Sequence, residues 1–249
     1  MAEPETNEYR VQRLHNMARL RELGHRPFGR AYERTGRIAD LRAAFEENRR
    51  VRVAGRLMRW RDMGKSIFAD IDDGSGRIQV YVKKDAIGED AFAAFKLLDA
   101  GDFIGVEGDL FLTRTGEQSV KLAAWEMLSK ALLPLPEKWH GLHDVDACYR
   151  QRYLDLVANP SSRERFNLRI RAIHEIRSFL AARGFVEVET PMMQAQAGGA
   201  AARPFRTHFT ALGVEMFLRI APELYLKRLL VGGFDKVFEL NRNFRNEGL

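Results

Sequence analysis

The spacing of apolar residues changes along the chain, and each change predicts a different kind of structure. Apolar residues recur at helical spacing in residues 8–23 and 38–48, which predicts two helices. From residue 51 the period becomes two, which predicts short strands at residues 51–59, 66–71, 77–82, 103–112 and 119–127. A helical pattern at residues 90–98 separates the third strand from the fourth.

Beyond these strands the chain predicts a mixed region of helices and strands. Two prolines one residue apart within residues 132–139 predict a linker. Ser161 and Glu164 form a capping box, which predicts the start of a long helix that Gly184 ends. The elements predicted after it are a strand at residues 185–190, a helix at 223–230 and an extended segment from residue 237.

Three strands, a helix and two strands follow the order of an OB-fold, a small barrel whose face binds oligonucleotides. Alternation predicts inward positions for Ile67, Ala69, Ile71, Ile78, Val80 and Val82, and outward positions for Phe68, Asp70, Arg77, Gln79 and Tyr81. An outward ring can stack on an unpaired base while a neighbouring amide hydrogen-bonds to the base edge. Phe68 and Gln79 therefore indicate a single-stranded nucleic-acid site, the alternative being an ordinary cross-strand contact.

Charge is unevenly distributed along the chain. Residues 10–61 contain fifteen arginines against five acidic residues, although the whole chain carries a formal net charge of only +6. A basic N-terminal region indicates a polyanionic partner such as nucleic acid, the alternative being an arginine-rich solvated surface. The single cysteine, Cys148, is interpreted as a small buried residue. The absence of a long apolar run and of a secretory signal predicts a cytoplasmic protein without a membrane partner.

The last stretch, V-F-E-L-N-R-N-F-R-N-E-G-L, alternates as an extended strand with one apolar face and one polar face. Arg245 and Glu247 lie two residues apart on the polar face, a combination suited to a phosphate and a hydrogen-bonding ligand. The small-residue loop at residues 198–205 allows backbone to approach a ligand closely. Glu223 falls in the first turn of its helix, where an acid can bind a ligand or simply complement the helix dipole.

Four stretches in this order resemble class II lysyl-tRNA synthetases of the bacterial type: R-G-F-V-E-V-E-T-P-M-M, G-G-A-A-A-R-P-F, R-I-A-P-E-L-Y-L-K-R-L and F-E-L-N-R-N-F-R-N-E-G. The resemblance implies an α+β protein, with an OB-fold β-barrel and flanking helices followed by an incomplete antiparallel α/β catalytic domain. We expect a basic helical extension at residues 1–50, the anticodon-binding barrel at 51–130, a linker at 131–160 and the start of the catalytic domain at 161–249.

The resemblance also implies roles for individual residues. Arg245 matches the catalytic arginine that bridges the lysine carboxylate and the α-phosphate of ATP, and Asn246 and Glu247 match its ATP-binding neighbours. Gly199 and Glu223 match positions that contact the substrate lysine. On the barrel, the anticodon-binding residues are expected to be Phe68 and Gln79, with additional contacts from Arg59 and Arg61.

The expected substrates are L-lysine, ATP and tRNA(Lys), and the expected assembly is a homodimer formed through the first of the four stretches. The Mg²⁺ ligands of the family are expected beyond residue 249, and His140, His143 and Asp144 are not interpreted as a metal site. Because the sequence stops before the remaining catalytic motifs, we expect a fragment that is inactive by itself. The alternatives are a non-catalytic RNA-binding module and an aspartyl or asparaginyl enzyme.

Overall fold

The computed structural model describes residues 4–29, 31–136 and 142–248. The chain divides into two compact units, at residues 1–158 and 159–249. Trp139 and His140, within the linker predicted at residues 131–160, lie outside the described residues. No helix in the described ranges is both long enough and apolar enough to cross a bilayer.

The first unit is built around a five-stranded barrel. Its strands are β1 (Arg50–Asp62), β2 (Ser66–Asp72), β3 (Arg77–Lys83), β4 (Phe103–Leu112) and β5 (Gln118–Ser129). The neighbours run in the order β1-β2-β3-β5-β4, and β4 pairs with β1 to close the barrel. Only the β3–β5 pair among these is parallel. This is the predicted OB-fold, and each predicted strand is confirmed to within a few residues at its ends.

Helices flank the barrel. They are α1 (Pro4–Glu22), α2 (Ile38–Ala43), α3 (Lys84–Ile87), α4 (Glu89–Phe95), α5 (Val145–Arg150) and α6 (Arg152–Ala158). The helix predicted at residues 90–98 corresponds to α4, which begins one residue earlier and ends at Phe95 rather than at residue 98. The short α3, which was not predicted, meets it at Gly88, which has a φ of +85°. The predicted helix at residues 38–48 is also shorter than expected, since the backbone leaves helical geometry at Ala44.

The barrel core confirms the predicted alternation on its inner side. All six side chains that were expected to face inward are at most 1% exposed. One residue predicted to face outward differs from the expectation: Asp70 is only 7% exposed. The guanidinium of Arg59 pairs with the Asp70 carboxylate and covers it, which satisfies the charge at the outer surface.

A buried ion pair joins the loop before β4 to the residue after β5, and α1 is hydrogen-bonded to the same region. The Lys130 ammonium donates to both carboxylate oxygens of Asp102, at 2.9 and 3.0 Å, and also pairs with Asp99. Burial raises the pKa of Asp102, although the Lys130 charge and two backbone N–H donors oppose this effect. From α1, Arg13 donates to the carbonyls of residues 100 and 131 at 3.0 Å each. The helix is therefore fixed to the loop that precedes β4.

The segment after α1 lies along β4 and β5. The ring of His25 stacks on Trp125 with centroids 4.5 Å apart, and the Gly29 amide donates to the Leu128 carbonyl. A Cβ at Gly105 would lie 2.5 Å from the Tyr32 ring, so only glycine allows this contact. This side of the barrel is consequently covered by the chain itself.

The second unit contains α7 (Pro160–Ala181), β6 (Val186–Glu187), β7 (Met193–Gln194), β8 (Arg206–Phe209), β9 (Val214–Leu218), α8 (Glu223–Val231) and β10 (Val237–Phe238). A three-stranded sheet has the order β7-β9-β8, and β10 pairs with β6 in parallel. Ile220 is the one buried apolar side chain within the described part of this unit.

Two predictions for this unit are wrong. The capping box is absent, because α7 begins at Pro160, with Asn159 as its N-cap and no side-chain cap. Gly184 does end the helix: it has a φ of +80°, and the next amide donates to the Leu180 carbonyl. The long strand predicted from residue 237 forms a ladder only over Val237–Phe238, and the chain beyond it is extended without a strand partner.

Candidate functional site

The outer face of the barrel carries the predicted nucleic-acid residues in two adjacent rows across the strands. Directly paired residues of neighbouring strands point to the same face. One row contains, in order, Arg59, Asp70, Gln79, Ser119 and Phe111. The next row contains Arg61, Phe68, Tyr81, Lys121 and Asp109. The four residues predicted to contact an anticodon are thus brought together on β1, β2 and β3.

Aromatic rings form the centre of this face. Phe68 lies 4.9 Å from Tyr81 between ring centroids, and Tyr81 lies 5.9 Å from Phe111. The three rings are half-buried, whereas Ser119, which lies between Gln79 and Phe111 in the strand register, is fully buried. A small residue at this position lets the rings meet above it. Sequence reasoning missed Phe111, since its contact depends on the order in which the strands pair.

The polar groups of this face are held in defined orientations. The Ser119 hydroxyl donates to Gln79 Oε1 at 3.1 Å, so the Gln79 amide protons remain available as donors. Arg59 is held by Asp70, and its side chain remains 60% exposed. Arg61 is exposed and lies opposite Phe68 in the strand register. The face therefore combines half-exposed rings, an amide donor and guanidinium groups.

In the second unit, the small-residue loop packs against the start of α8. Gly199 has a φ of +91°, and a Cβ at this residue would lie 3.3 Å from Ala221. Ala221 is two residues before Glu223, so the two predicted lysine-binding positions belong to one local cluster. The loop approaches so closely because residues 198 and 199 lack side chains.

Glu223 is exposed and pairs within its own helix. The Lys227 ammonium donates to Glu223 Oε1 at 2.6 Å, one turn along α8. This hydrogen bond, together with the charge of Lys227, lowers the pKa of Glu223. The carboxylate thus already binds a lysine ammonium, which is the group that a substrate lysine would present.

The predicted ATP-binding residues lie on the extended chain after β10. The amide of Asn246 donates to the Arg203 carbonyl at 2.8 Å, and the Arg203 amide donates to Glu247 Oε1 at 3.3 Å. Arg245, between these contacts and the anchored residue Phe244, is exposed. The small-residue loop, which contains Arg203, is therefore joined to the segment at residues 246–247.

The predicted separation of one packing face and one binding face is wrong at residue 239. The Glu239 side chain is only 3% exposed and pairs with Arg219, whereas Leu240 is 38% exposed. Sequence reasoning missed this pair, because Arg219 stands in an otherwise apolar run and has no local signal of its role. Of the polar side chains in this segment, Glu239 is therefore buried, whereas Arg245 is exposed to solvent.

Cys148 lacks the features of a reactive thiol. Cys148 is half-buried rather than fully buried, and its Sγ donates to the Leu142 carbonyl at 3.0 Å. Desolvation and the nearby charge of Asp155 raise the pKa of the Cys148 thiol, which disfavours the nucleophilic thiolate. Within residues 4–29, 31–136 and 142–248, no three side chains of the metal-binding types His, Cys, Asp and Glu form a group suited to a metal ion.

Comparison with known families agrees with both parts of the structure. Residues 51–128 match the OB-fold nucleic acid binding domain family, and residues 144–249 match the class II tRNA synthetases of the D, K and N group. Residues 144–249 therefore belong to the class II tRNA synthetase family, and an OB-fold nucleic acid binding domain precedes them.

Within this family, the chain is similar to individual lysine–tRNA ligases. The chain is 54% identical to a lysine–tRNA ligase of Carboxydothermus hydrogenoformans, over 100% of this chain and 51% of that protein. It is 53% identical to a lysine–tRNA ligase of Pelotomaculum thermopropionicum, over 99% of this chain and 49% of the relative. A lysine–tRNA ligase of Coxiella burnetii is 50% identical, over 98% and 51% respectively. The chain thus spans about half the length of the curated relatives it matches.

Proposed function

We propose that this chain carries the tRNA-binding barrel and part of the amino-acid-activating site of a lysine–tRNA ligase. In that reaction, the lysine carboxylate attacks the α-phosphate of ATP to give lysyl-adenylate and pyrophosphate, and lysine then passes to the 3′ end of tRNA(Lys). The observation that carries the proposal is the common face of Phe68, Gln79, Arg59 and Arg61 on a closed OB-fold barrel.

The barrel face would bind the anticodon as unpaired bases. A base stacks on the half-exposed Phe68 ring, which Tyr81 supports from the neighbouring strand. The Gln79 amide protons donate to carbonyl oxygens on the base edge, as a central uridine requires. Arg59 and Arg61 neutralise the phosphates of the same strand.

The second unit would contribute to adenylate formation through charge and position. Arg245 contacts both the lysine carboxylate and the α-phosphate, because a planar guanidinium can donate to two anions at once. Glu247 accepts a hydrogen bond from the adenine amino group, with Asn246 beside it. Glu223 pairs with the substrate ammonium near Gly199, which requires the ammonium of Lys227 to leave it.

The described residues do not form a Mg²⁺ site, since no group of three suitable side chains converges. We further propose a cytoplasmic homodimer whose contact includes α7 and β6, on which Leu168, Ile170 and Phe179 are exposed.

Binding of an anticodon stem-loop tests the proposal. We expect Phe68→Ala to weaken binding by about 1–3 kcal/mol, the usual contribution of one base–aromatic stack. Leu112→Ala, at the exposed end of β4, is the matched control and should leave affinity unchanged. Equal affinity of wild type and Phe68→Ala for the tRNA(Lys) stem-loop would contradict the proposed anticodon face.

A non-catalytic RNA-binding module is the second candidate, because the barrel is fully packed whereas the second unit contains a single described buried apolar residue. Binding of AMP separates the two functions, because a chain with part of the site is expected to be inactive and need not exchange pyrophosphate into ATP. AMP binding that is weakened in Arg245→Ala supports the ligase site. Anticodon binding without AMP binding supports the module.

A further inference from the structure

The second unit contains a buried ion pair that the proposed chemistry does not use. Arg219, the residue after β9, and Glu239, the residue after β10, are each 3% exposed at the side chain. Arg219 Nη1 donates to Glu239 Oε1 at 2.7 Å. Two charges removed from water in this way need nearly complete hydrogen bonding to be tolerated.

Thr190 completes the hydrogen bonding of the carboxylate. Its amide donates to Glu239 Oε1 at 3.1 Å, and its hydroxyl donates to Oε2 at 2.7 Å. Arg219 in turn donates to the carbonyl and hydroxyl oxygens of Thr190. Desolvation raises the pKa of Glu239, but the hydrogen bonds from Thr190 and Arg219 outweigh it and lower the pKa overall. Glu239 is therefore held as the carboxylate.

The same arginine holds the extended chain beyond β10 at three points. Its guanidinium binds the Glu239 side chain, and its Nε donates to the Arg242 carbonyl at 3.1 Å. Its backbone carbonyl accepts from the Phe244 amide at 2.9 Å. The β-ladder ends at Phe238. Over residues 239–244, these three contacts with Arg219 hold the chain in place of ladder hydrogen bonds.

Arg245 follows directly after the last of these points. The next amide, that of Asn246, is held by the Arg203 carbonyl at 2.8 Å. The backbone is thus fixed immediately before and immediately after Arg245, whose side chain remains exposed. The two anchored amides on either side fix the Cα position and the Cα–Cβ direction of this exposed side chain.

We propose that the Arg219–Glu239–Thr190 cluster is a positioning element for Arg245, and that it sets where the guanidinium stands relative to an adenylate phosphate. This proposal rests on the proposed function of Arg245. Arg219 and Glu239 touch no substrate and act through the backbone of residues 239–247.

Hydrogen exchange in the full chain tests the positioning itself. In Glu239→Gln, which keeps the side-chain shape, we expect the amides of Phe244 and Asn246 to lose protection while those of β8 and β9 keep it. Thr190→Val should have the same effect in weaker form, and Thr190→Ser, which retains the hydroxyl, should not. Unchanged protection at Phe244 in Glu239→Gln, or loss throughout the unit, would overturn the proposal.

Binding of AMP, which carries both the adenine and the phosphate, tests the consequence for the site. We expect Glu239→Gln to raise the Kd by roughly tenfold and Arg245→Ala to add little in the Glu239→Gln background, because coupled residues are not additive. Fully additive losses would overturn the proposal. If the wild-type chain does not bind AMP, the proposed function of Arg245 fails, and the exchange experiment still decides whether the cluster orders this segment.

Discussion

The barrel and the second unit are ordered by different interactions. Every buried apolar side chain of the described residues except Ile220 lies in residues 1–158, where the strands enclose a continuous core. The second unit instead has Arg219 and Glu239 buried among hydrogen bonds, with apolar residues such as Phe179 and Leu240 exposed. Burial of apolar surface is non-directional, whereas a buried ion pair requires specific partners. Apolar truncations should therefore destabilise the barrel more than the second unit, whereas both units contain a buried ion pair whose loss should be costly.

The largest expected effect comes from a buried charge inside the better-packed unit. Lys130→Met leaves Asp102 buried without its ammonium partner, which should lower the free energy of unfolding by about 3–5 kcal/mol. The pKa of Asp102, already raised by burial, should rise further. A carboxyl with a raised folded pKa stabilises the fold most below its unfolded pKa and loses this as pH rises. Denaturant unfolding should therefore show a loss that increases from pH 4 to pH 7.

The exposed Lys121→Met is the control for this experiment, since Lys121 lies on the outer face of β5 and should change stability little. Equal stability of Lys130→Met and Lys121→Met would mean that the ion pair does not stabilise the loop before β4. The comparison between the units would then depend on apolar burial alone.

Apolar truncation should separate the two units most directly. Leu57→Ala, at a fully buried barrel position, should cost about 2–5 kcal/mol through lost burial and a cavity. Leu240→Ala, at a residue 38% exposed, should cost less than about 0.5 kcal/mol. Thermal unfolding of both variants measures the difference. A large loss from Leu240→Ala would show that the second unit has an apolar core after all.

These differences also explain what could be predicted from the sequence. The barrel strands and their inward side chains followed from alternation, because each strand buries one face and exposes the other. Alternation failed for Glu239, where the buried side of an extended segment is polar, and for Asp70, which Arg59 covers. Both failures involve ion pairs between residues that are distant in sequence or on different strands. Periodicity contains no information on such partners.

For the candidate site, too, alternation predicted which side chains share a face but not which strands become neighbours. It predicted that Phe68 and Gln79 lie on the outer face, and the register places them in adjacent rows. Phe111 was missed, since its contact with Tyr81 depends on β5 lying between β3 and β4. Arg203 was missed because a loop amide and carbonyl, rather than its side chain, contact residues 246–247.

A binding measurement extends the comparison from stability to function. Arg61→Ala should reduce the salt dependence of stem-loop binding, lowering the slope of log K against log salt by about 0.7 for one lost phosphate contact. Arg245→Ala removes the same charge from the second unit and should leave this slope unchanged. Equal reductions would mean that both units bind the stem-loop by charge, which would contradict the assignment of RNA binding to the barrel.

The smallest expected effect concerns the two acids of the second unit, Glu223 and Glu239. Both have lowered pKa values, but Glu223 is exposed and depends on the hydrogen bond and charge of Lys227, whereas Glu239 is buried among several donors. Lys227→Met should therefore raise the pKa of Glu223 and leave that of Glu239 unchanged, as carboxyl NMR titration measures. Solvent and salt screen the exposed pair, so the change should be small and should fade at high salt.

The same variant tests whether Lys227 competes with a substrate lysine. Removing the internal ammonium frees the Glu223 carboxylate, so lysine should bind at least as well to Lys227→Met as to the wild-type chain at neutral pH. Because the pKa of Glu223 is then higher, binding should be lost at a higher pH as the solution is acidified. Lys236→Met, which removes a donor to the Arg183 carbonyl, is the matched control. Weaker lysine binding in Lys227→Met at neutral pH would indicate that Lys227 orients the carboxylate for the ligand instead of competing with it.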